Sequence, residues 1–341
     1  MQVMEKNKSL IEQDLLVLAL SSLNFLSAKE RLLIYNSVDS LEMLSKMTIN
    51  DFSRITNHCF RQKTWNADEI VKRALRGKKI LASFGIKYLP VFSDKYPESL
   101  RNIPDMPFVL FYRGNIELLN TPCLSVIGTR TVTSEGKQAA FDFGKAAADD
   151  GWTIVGGLSE GAEYFAHYGA LKSEAGRTVA FLPCGIDNIV PACNKPLAAA
   201  IIKKGCLVSE YQPGMPVAHW CYAQRNRLIA GVSSDTVLVQ APAGSGSLTT
   251  AALVEDYNRD LYIMKTAFSS KALEVAEIKK KAIKKGAENK ENKGKIKNIC
   301  NFVIDDGIPV IDDYEDFIKC KNEAPGTRSY DVSDFESSFN I

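Results

Sequence analysis

Between Cys123 and Lys265, six short runs, CLSVIG, TIVGG, RTVAFLP, CLVSEY, TVLVQA and LYIMK, alternate with segments of helical pattern. The runs are apolar on successive residues rather than on every second one. A strand of that kind is buried on both faces, and a parallel sheet covered by helices on both sides provides such burial. The alternation therefore predicts an α/β fold: a doubly wound, mostly parallel, Rossmann-like sheet.

The flanking segments read differently. Residues 1–83 carry apolar residues at helical spacing in SLIEQDLLVLALSSL, AKERLLIYNSV, SVDSLEMLSKMT and NADEIVKRALRGKKI. This predicts a small N-terminal helical domain, with Asp39, Ser40 and Asn66 as N-caps and Gly77-Lys78 closing the last helix. From Phe84 short β runs are broken by four prolines, and FVLFYRG reads as a strand. Residues 265–297 hold eleven lysines against four glutamates. They read as a solvated helix and loop, or as an arm that attracts phosphate, with Lys279, Lys280 and Lys281 as accessory basic residues. Next, CNFVIDDGIPVIDDYEDFIK reads as strand, turn, strand and helix end, and a polar tail covers 321–341. The expected division is a helical domain at 1–83, the sheet domain at 84–320 with the lysine-rich insertion 265–297, and the tail.

Composition narrows the setting. Eight cysteines in 341 residues form no CxxC pair, which suits reduced thiols in a cytosol. The N-terminal apolar run carries acids and no small-residue cleavage site, and no run reaches the roughly 20 apolar residues of a membrane helix. The expected location is cytoplasmic, with no membrane partner. The net charge of +2 leaves nucleic acid open, because local patches decide that binding.

In a doubly wound sheet, ligands sit beyond the carboxyl ends of the strands. There the sequence places Gly128, Thr129 and Arg130 after LSVI, then Gly156 and Gly157 within TIVGG, followed by Leu158, Ser159, Glu160 and Gly161. Cys184-Gly185 follows VAFLP, and Arg225, Asn226 and Arg227 close the excursion after LVSE. Gly244, Ser245, Gly246 and Ser247 follow LVQAPA, and Thr249 stands in the next helix. Small residues let backbone N–H groups approach an anion, a helix N-terminus adds a favourable dipole, and guanidinium groups fork onto phosphate oxygens. The pattern predicts a phosphate site.

It fits no common nucleotide cofactor. GTRTVTSEG is not GxGxxG, no acid ends the TIVGG strand, and no GxxxxGK[ST] occurs. No cofactor and no metal are expected. Catalytic machinery is thin as well. His58 lies in the helical region, His167 is mid-helix on an apolar face, and His219 is a loop residue beside Trp220. Glu163, Glu210 and Glu255 lie near strand ends or in first turns, without a nucleophile elbow or a metal cluster. The inventory suits holding phosphates better than breaking bonds.

The ordered motifs YPESLRNIPDMPFVLFYRGN, VIGTR, GGLSEGAEYFAHYGAL, PCGIDNIVPACNKPL, VSEYQPG, QRNRLIAGVS and VLVQAPAGSGSLTTAALVEDYNRDLY run from about Tyr96 to Lys319. Together they resemble the DprA/Smf family, the DNA-processing proteins of bacterial transformation. The resemblance implies a protein that binds and protects single-stranded DNA cooperatively without sequence preference. It would dimerise through its Rossmann-like domain and help load the recombinase RecA. It also implies that Gly128, Arg130, Gly157, Arg225, Arg227, Ser245, Gly246 and Thr249 form a phosphate pocket, with a SAM-like or helix-hairpin-helix module in the N-terminal helices. Tyr164, Trp220 and Tyr222 read equally as base-stacking surfaces and as core or dimer residues. The chain departs from the family at Ala162-Glu163, where GID is usual, and at Gln240, where an acid is usual. Against the resemblance, no proline-glycine follows LYIMK, and no winged-helix-like module is expected in the polar tail. Two alternatives stay open. One is a LOG-type nucleotide phosphoribohydrolase, whose PGGxGTxxE loop APAGSGSLTTAALVE loosely resembles, although Glu255 falls later than that spacing wants. The other is a DNA-sensing or defence-associated relative.

Overall fold

The structure, a computed structural model, describes residues 10–274 and 299–323. Lys279, Lys280 and Lys281, most of the lysine-rich segment and the tail from 324 lie outside the described residues. The chain divides into two compact units. One comprises Met1–Arg113, Leu182–Ile189 and Leu207–Ala218, and the other Gly114–Phe181, Val190–Cys206 and His219–Ile341.

The first unit opens with the helices α1 (Leu10–Ser21), α2 (Ala28–Ser37), α3 (Leu41–Ser45), α4 (Ile49–Thr56) and α5 (Ala67–Phe84). Leu15–Leu20 of α1 are buried without interruption. A stretch buried on every face of a helix belongs inside its bundle, while Glu12 in the first turn, and Asp14, stay partly open to solvent. Local chemistry starts the others. Ser27 with Glu30 and Thr48 with Asp51 form capping boxes, and Ser40 and Asn66 accept from the N–H groups of Met43 and Glu69. The expected stop at Gly77-Lys78 is overturned, because α5 continues to Phe84 and ends at Gly85 with φ 60°. Gly77 serves close approach instead: a Cβ there would lie 2.7 Å from the Gln212 Nε2. The unit also holds β1 (Lys87–Pro90), α6 (Glu98–Arg101) and β2 (Val109–Gly114), with β1 and β2 paired antiparallel.

The second unit carries β3 (Cys123–Ile127), α7 (Ser134–Asp149), β4 (Thr153–Gly156), α8 (Ala162–Lys172), β5 (Thr178–Phe181) and α9 (Lys195–Lys204). Strand β6 (Cys206–Ser209) straddles the division in sequence. Then follow α10 (His219–Val232), β7 (Asp235–Leu238), α11 (Gly246–Asp256), β8 (Asp260–Met264), α12 (Ile299–Ile304), β9 (Val310–Ile311) and α13 (Tyr314–Asn322). Its strands run in the order β5-β4-β3-β7-β8-β9, and each neighbouring pair is parallel. The predicted α/β, doubly wound, mostly parallel fold is what the chain adopts.

Alternation along β3 shows how the sheet is covered. Leu124 and Val126 point to one face, where Ala140, Phe143, Ala147, Ala162, Ala166, Ala170 and Phe317 join them in one buried cluster. Ser125 points to the other face, and its hydroxyl donates to the Ile229 carbonyl of α10 at 2.9 Å. Helices therefore lie on both sides of β3, and every β3 side chain is buried.

Candidate functional site

Strand order reverses between β3 and β7: chain progress runs one way through β4 and β5 and the other way through β7 and β8. The loops leaving β3 and β7 therefore diverge, and a crevice opens beyond the carboxyl ends of these strands. A cavity of about 270 Å³ fills it. Gly128 and Arg130 line it from the loop after β3, Ser159 from the β4–α8 turn and Glu163 from the first turn of α8. Tyr222, Arg225 and Asn226 line it from α10, and Ser245, Gly246, Ser247 and Thr250 from the first turn of α11. All of these residues belong to the second unit. A recess of about 50 Å³ shares Arg130, Ser159 and Tyr222 with the cavity and adds Gly157, Glu160, Val190 and Pro191.

The two guanidinium groups are held differently. Arg130 is exposed, and its guanidinium lies 5.3 Å from the centre of the Tyr222 ring. The ring's negative face restrains the cation while leaving its N–H groups to the cavity. Arg225 is only 3% exposed, and its Nη1 donates to the Phe181 carbonyl at 3.3 Å. Gly157 makes room for it, since a Cβ on Gly157 would sit 1.0 Å from the Arg225 Nη1.

The entry to α11 is built from small residues for a physical reason. Gly244 turns the chain at φ 75°, and Ser245 caps the helix by accepting from the Ser247 N–H. A Cβ on Gly246 would meet nothing within 4 Å. The first turn of the helix thus faces open cavity, with its partial positive charge directed there.

Glu163 completes the wall. It is buried, and its Oε2 accepts from the Gly157 and Ser159 N–H groups at 3.0 Å each. One turn further along α8, His167 is fully buried, with its Nδ1 2.6 Å from the Thr178 Oγ1. Thr178 donates its own hydroxyl to the Ile154 carbonyl, so the His167 Nδ1 carries the proton. Burial pushes the imidazole down to about 4, Glu163 opposes that shift, and Arg225 adds to it. His167 is thus a packed neutral histidine beneath the site.

The cavity gathers seven of the residues marked from sequence: Gly128, Arg130, Arg225, Asn226, Ser245, Gly246 and Ser247. Gly157 lies in the adjoining recess. Thr129 is buried, and its N–H is bonded to the Gln240 carbonyl at 2.7 Å. Gly156 is the last residue of β4, and Gly244 is in the turn before α11. Arg227 is buried and outside the lining; two residues of helix separate it from Arg225 by more than half a turn. Thr249 is exposed, and Thr250 takes the lining position. Of the marked aromatics only Tyr222 lines the cavity. Tyr164 stacks on Tyr168 instead, and Trp220 is 47% exposed. His58 pairs with Glu30, and Glu255 lies in the last turn of α11. Sequence reading missed the two bonds to Glu163, which depend on a loop conformation that spacing does not encode. Among the described residues no group of three or more His, Cys, Asp or Glu is arranged to hold a metal ion, and no helix is long and apolar enough to cross a membrane.

The arrangement presents two guanidinium groups, one buried carboxylate and a helix N-terminus around an open space. It can hold an anion of low charge by fork-like and backbone hydrogen bonds.

A family model described as DNA recombination-mediator protein A matches residues 87–301. The protein Smf of Borreliella burgdorferi is 30% identical over 248 residues, 72% of this chain and 78% of that one. The structure of DNA processing protein A (DprA) from Streptococcus pneumoniae superposes with a TM-score of 0.65 at 23% identity, covering 90% of this chain and 97% of that one. A second structure describes a single-stranded DNA binding mode of DNA processing protein A from Helicobacter pylori. It superposes with a TM-score of 0.54 at 24% identity over 69% of this chain and 95% of that one. Both structures share this fold.

Proposed function

The chain belongs to the DNA recombination-mediator protein A family, and from that premise we propose that it binds single-stranded DNA by its phosphates at the β3–β7 crevice, leaving base identity unread. The observation that carries the reading is the meeting of Arg130, Arg225 and the α11 N-terminus around one open cavity. Cations and backbone donors hold a sugar–phosphate chain, whereas sequence is read from base edges. The single-stranded binding mode described for the Helicobacter pylori protein supports the choice of ligand. In this reading Gly157 and Thr249 flank the path of the strand, and Thr129, Gly156, Gly244 and Arg227 shape it from behind.

The reading assigns no catalytic step. Glu163 is engaged by two backbone N–H groups, and Glu255 stands at the far end of α11 from the cavity. Family membership supports the finer parts of the proposal: a cytoplasmic homodimer that protects the strand and passes it to RecA. Solution mass and co-precipitation with RecA test those parts, and a monomer that ignores RecA refutes them.

The central test is a gel shift with single- and double-stranded DNA of equal length, repeated with Arg130→Ala. Loss of one charge-assisted contact is worth about 1.5–3 kcal/mol, so binding of the single strand is expected to weaken by about 10- to 150-fold. The slope of log affinity against log salt should fall by about 0.7, the share of one phosphate on a single strand. Unchanged affinity in the variant would remove the cavity from the binding path.

A further inference from the structure

Glu163 is 7% exposed, yet it lines the cavity and binds two consecutive-loop amides, those of Gly157 and Ser159. Leu158, between them, has φ 59°, a left-handed conformation that a bulky side chain rarely takes. The conformation is held in place: the Leu158 side chain is fully buried, and its carbonyl accepts from the Asn194 Nδ2 at 2.9 Å. Two N–H groups converging across a left-handed residue make a nest of the kind that binds anions. Here the chain supplies the anion itself.

Resting on the phosphate-binding reading above, we propose that Glu163 is a specificity-determining residue that limits the cavity to a singly charged phosphodiester and turns away the doubly charged terminal phosphate of a nucleotide. Glu160 stands in the adjoining recess, and within the cavity lining Arg130 and Arg225 against Glu163 leave one net positive charge. A phosphodiester carries one negative charge and matches it. A terminal phosphate carries about 1.5 to 2 near neutral pH. Its additional charge meets the Glu163 carboxylate, and the two amides that would take its additional oxygen are already occupied. A cavity filtered in this way keeps hold of a strand in the presence of free nucleotides.

The test uses the full chain and a labelled oligothymidylate without terminal phosphates. Two competitors displace it: thymidine 5′-monophosphate and its 5′-methyl ester, which differ in charge and share base and sugar. The wild type is expected to prefer the methyl ester by about tenfold or more, the scale of one unit charge at close range in a partly wet site. Glu163→Gln should erase that preference, and Glu163→Asp, which keeps the charge, should retain it. On the wild type the preference should also shrink as pH falls through the second ionisation of the monophosphate, near about 6. The other titratable groups around Glu163 are Arg130, Arg225, Tyr222, Glu160 of the adjoining recess and His167, which is already neutral there, and α11 contributes only hydroxyls. An oligonucleotide that fails to bind the wild type sinks the phosphate reading itself. Binding with equal preference in wild type and Glu163→Gln overturns the filter alone. So does a wild-type preference that is flat with pH, which decides the matter even where Glu163→Gln does not fold.

Discussion

Gly157→Ala tests the geometry of the site most sharply. The new methyl carbon would sit 1.0 Å from the Arg225 Nη1, 2.1 Å from its Cζ and 2.6 Å from its Nη2. The guanidinium group must leave. It then loses its bond to the Phe181 carbonyl, a charge-assisted contact worth about 1.5–3 kcal/mol, and the overpacked neighbourhood adds about 1 kcal/mol or more. A loss of about 2–4 kcal/mol lowers the melting temperature by about 5–12 °C for a unit of this size. In the proposed function it also removes one of two cations from the cavity and weakens oligonucleotide binding by about tenfold or more. Gly246→Ala is the control. Its Cβ meets nothing within 4 Å, and alanine suits a helix better than glycine. The melt should hold or rise slightly, while the methyl group projecting into the cavity weakens binding. Thermal melts and fluorescence anisotropy with an oligothymidylate read both quantities. A Gly157→Ala protein that melts and binds like the wild type would refute the account of Arg225.

Two further outcomes concern stability. His167 titrates near about 4 when folded and near 6.5 when unfolded, so the unfolded chain takes up a proton first as pH falls. Stability should be full above about pH 6.5 and decline by about 3 kcal/mol towards pH 4, a dependence that urea melts will find flattened in His167→Leu. Lys321 reaches the wholly buried carboxylate of Asp235 at 2.5 Å. Lys321→Met removes the cation from that buried carboxylate, which keeps only hydroxyl partners such as Ser234, and should cost about 3 kcal/mol, with Lys321→Met/Asp235→Asn recovering part of the loss in the same melts.

The sheet was legible because its strands are buried on both faces, and that burial writes itself as near-continuous apolar runs. Ser40 and Asn66 were legible as caps because capping is local chemistry. Gly77 misled because glycine signals both a helix end and a close approach, and only the packed Gln212 separates the two. At the site, Gly128, Arg130 and Ser245 could be placed beside the crevice from sequence, since a crevice opens wherever strand order reverses. Arg227 and Thr249 fell outside the lining because helical phase, not proximity in sequence, decides which neighbour turns inward. Arg225 and Thr250 hold those places instead. Glu163 stood out as an acid, but its hold on two amides follows from the left-handed Leu158, a conformation for which leucine carries no signature.

The two compact units are interlaced in the chain as six alternating segments. No single cut can release either one whole. A ribosome must deliver Ala218 before the first unit has all its parts, by which time β3, β4 and β5 of the second have emerged. A deletion that stops at Arg113 therefore removes only the first of three segments of its unit and leaves the other two, Leu182–Ile189 and Leu207–Ala218, in the chain.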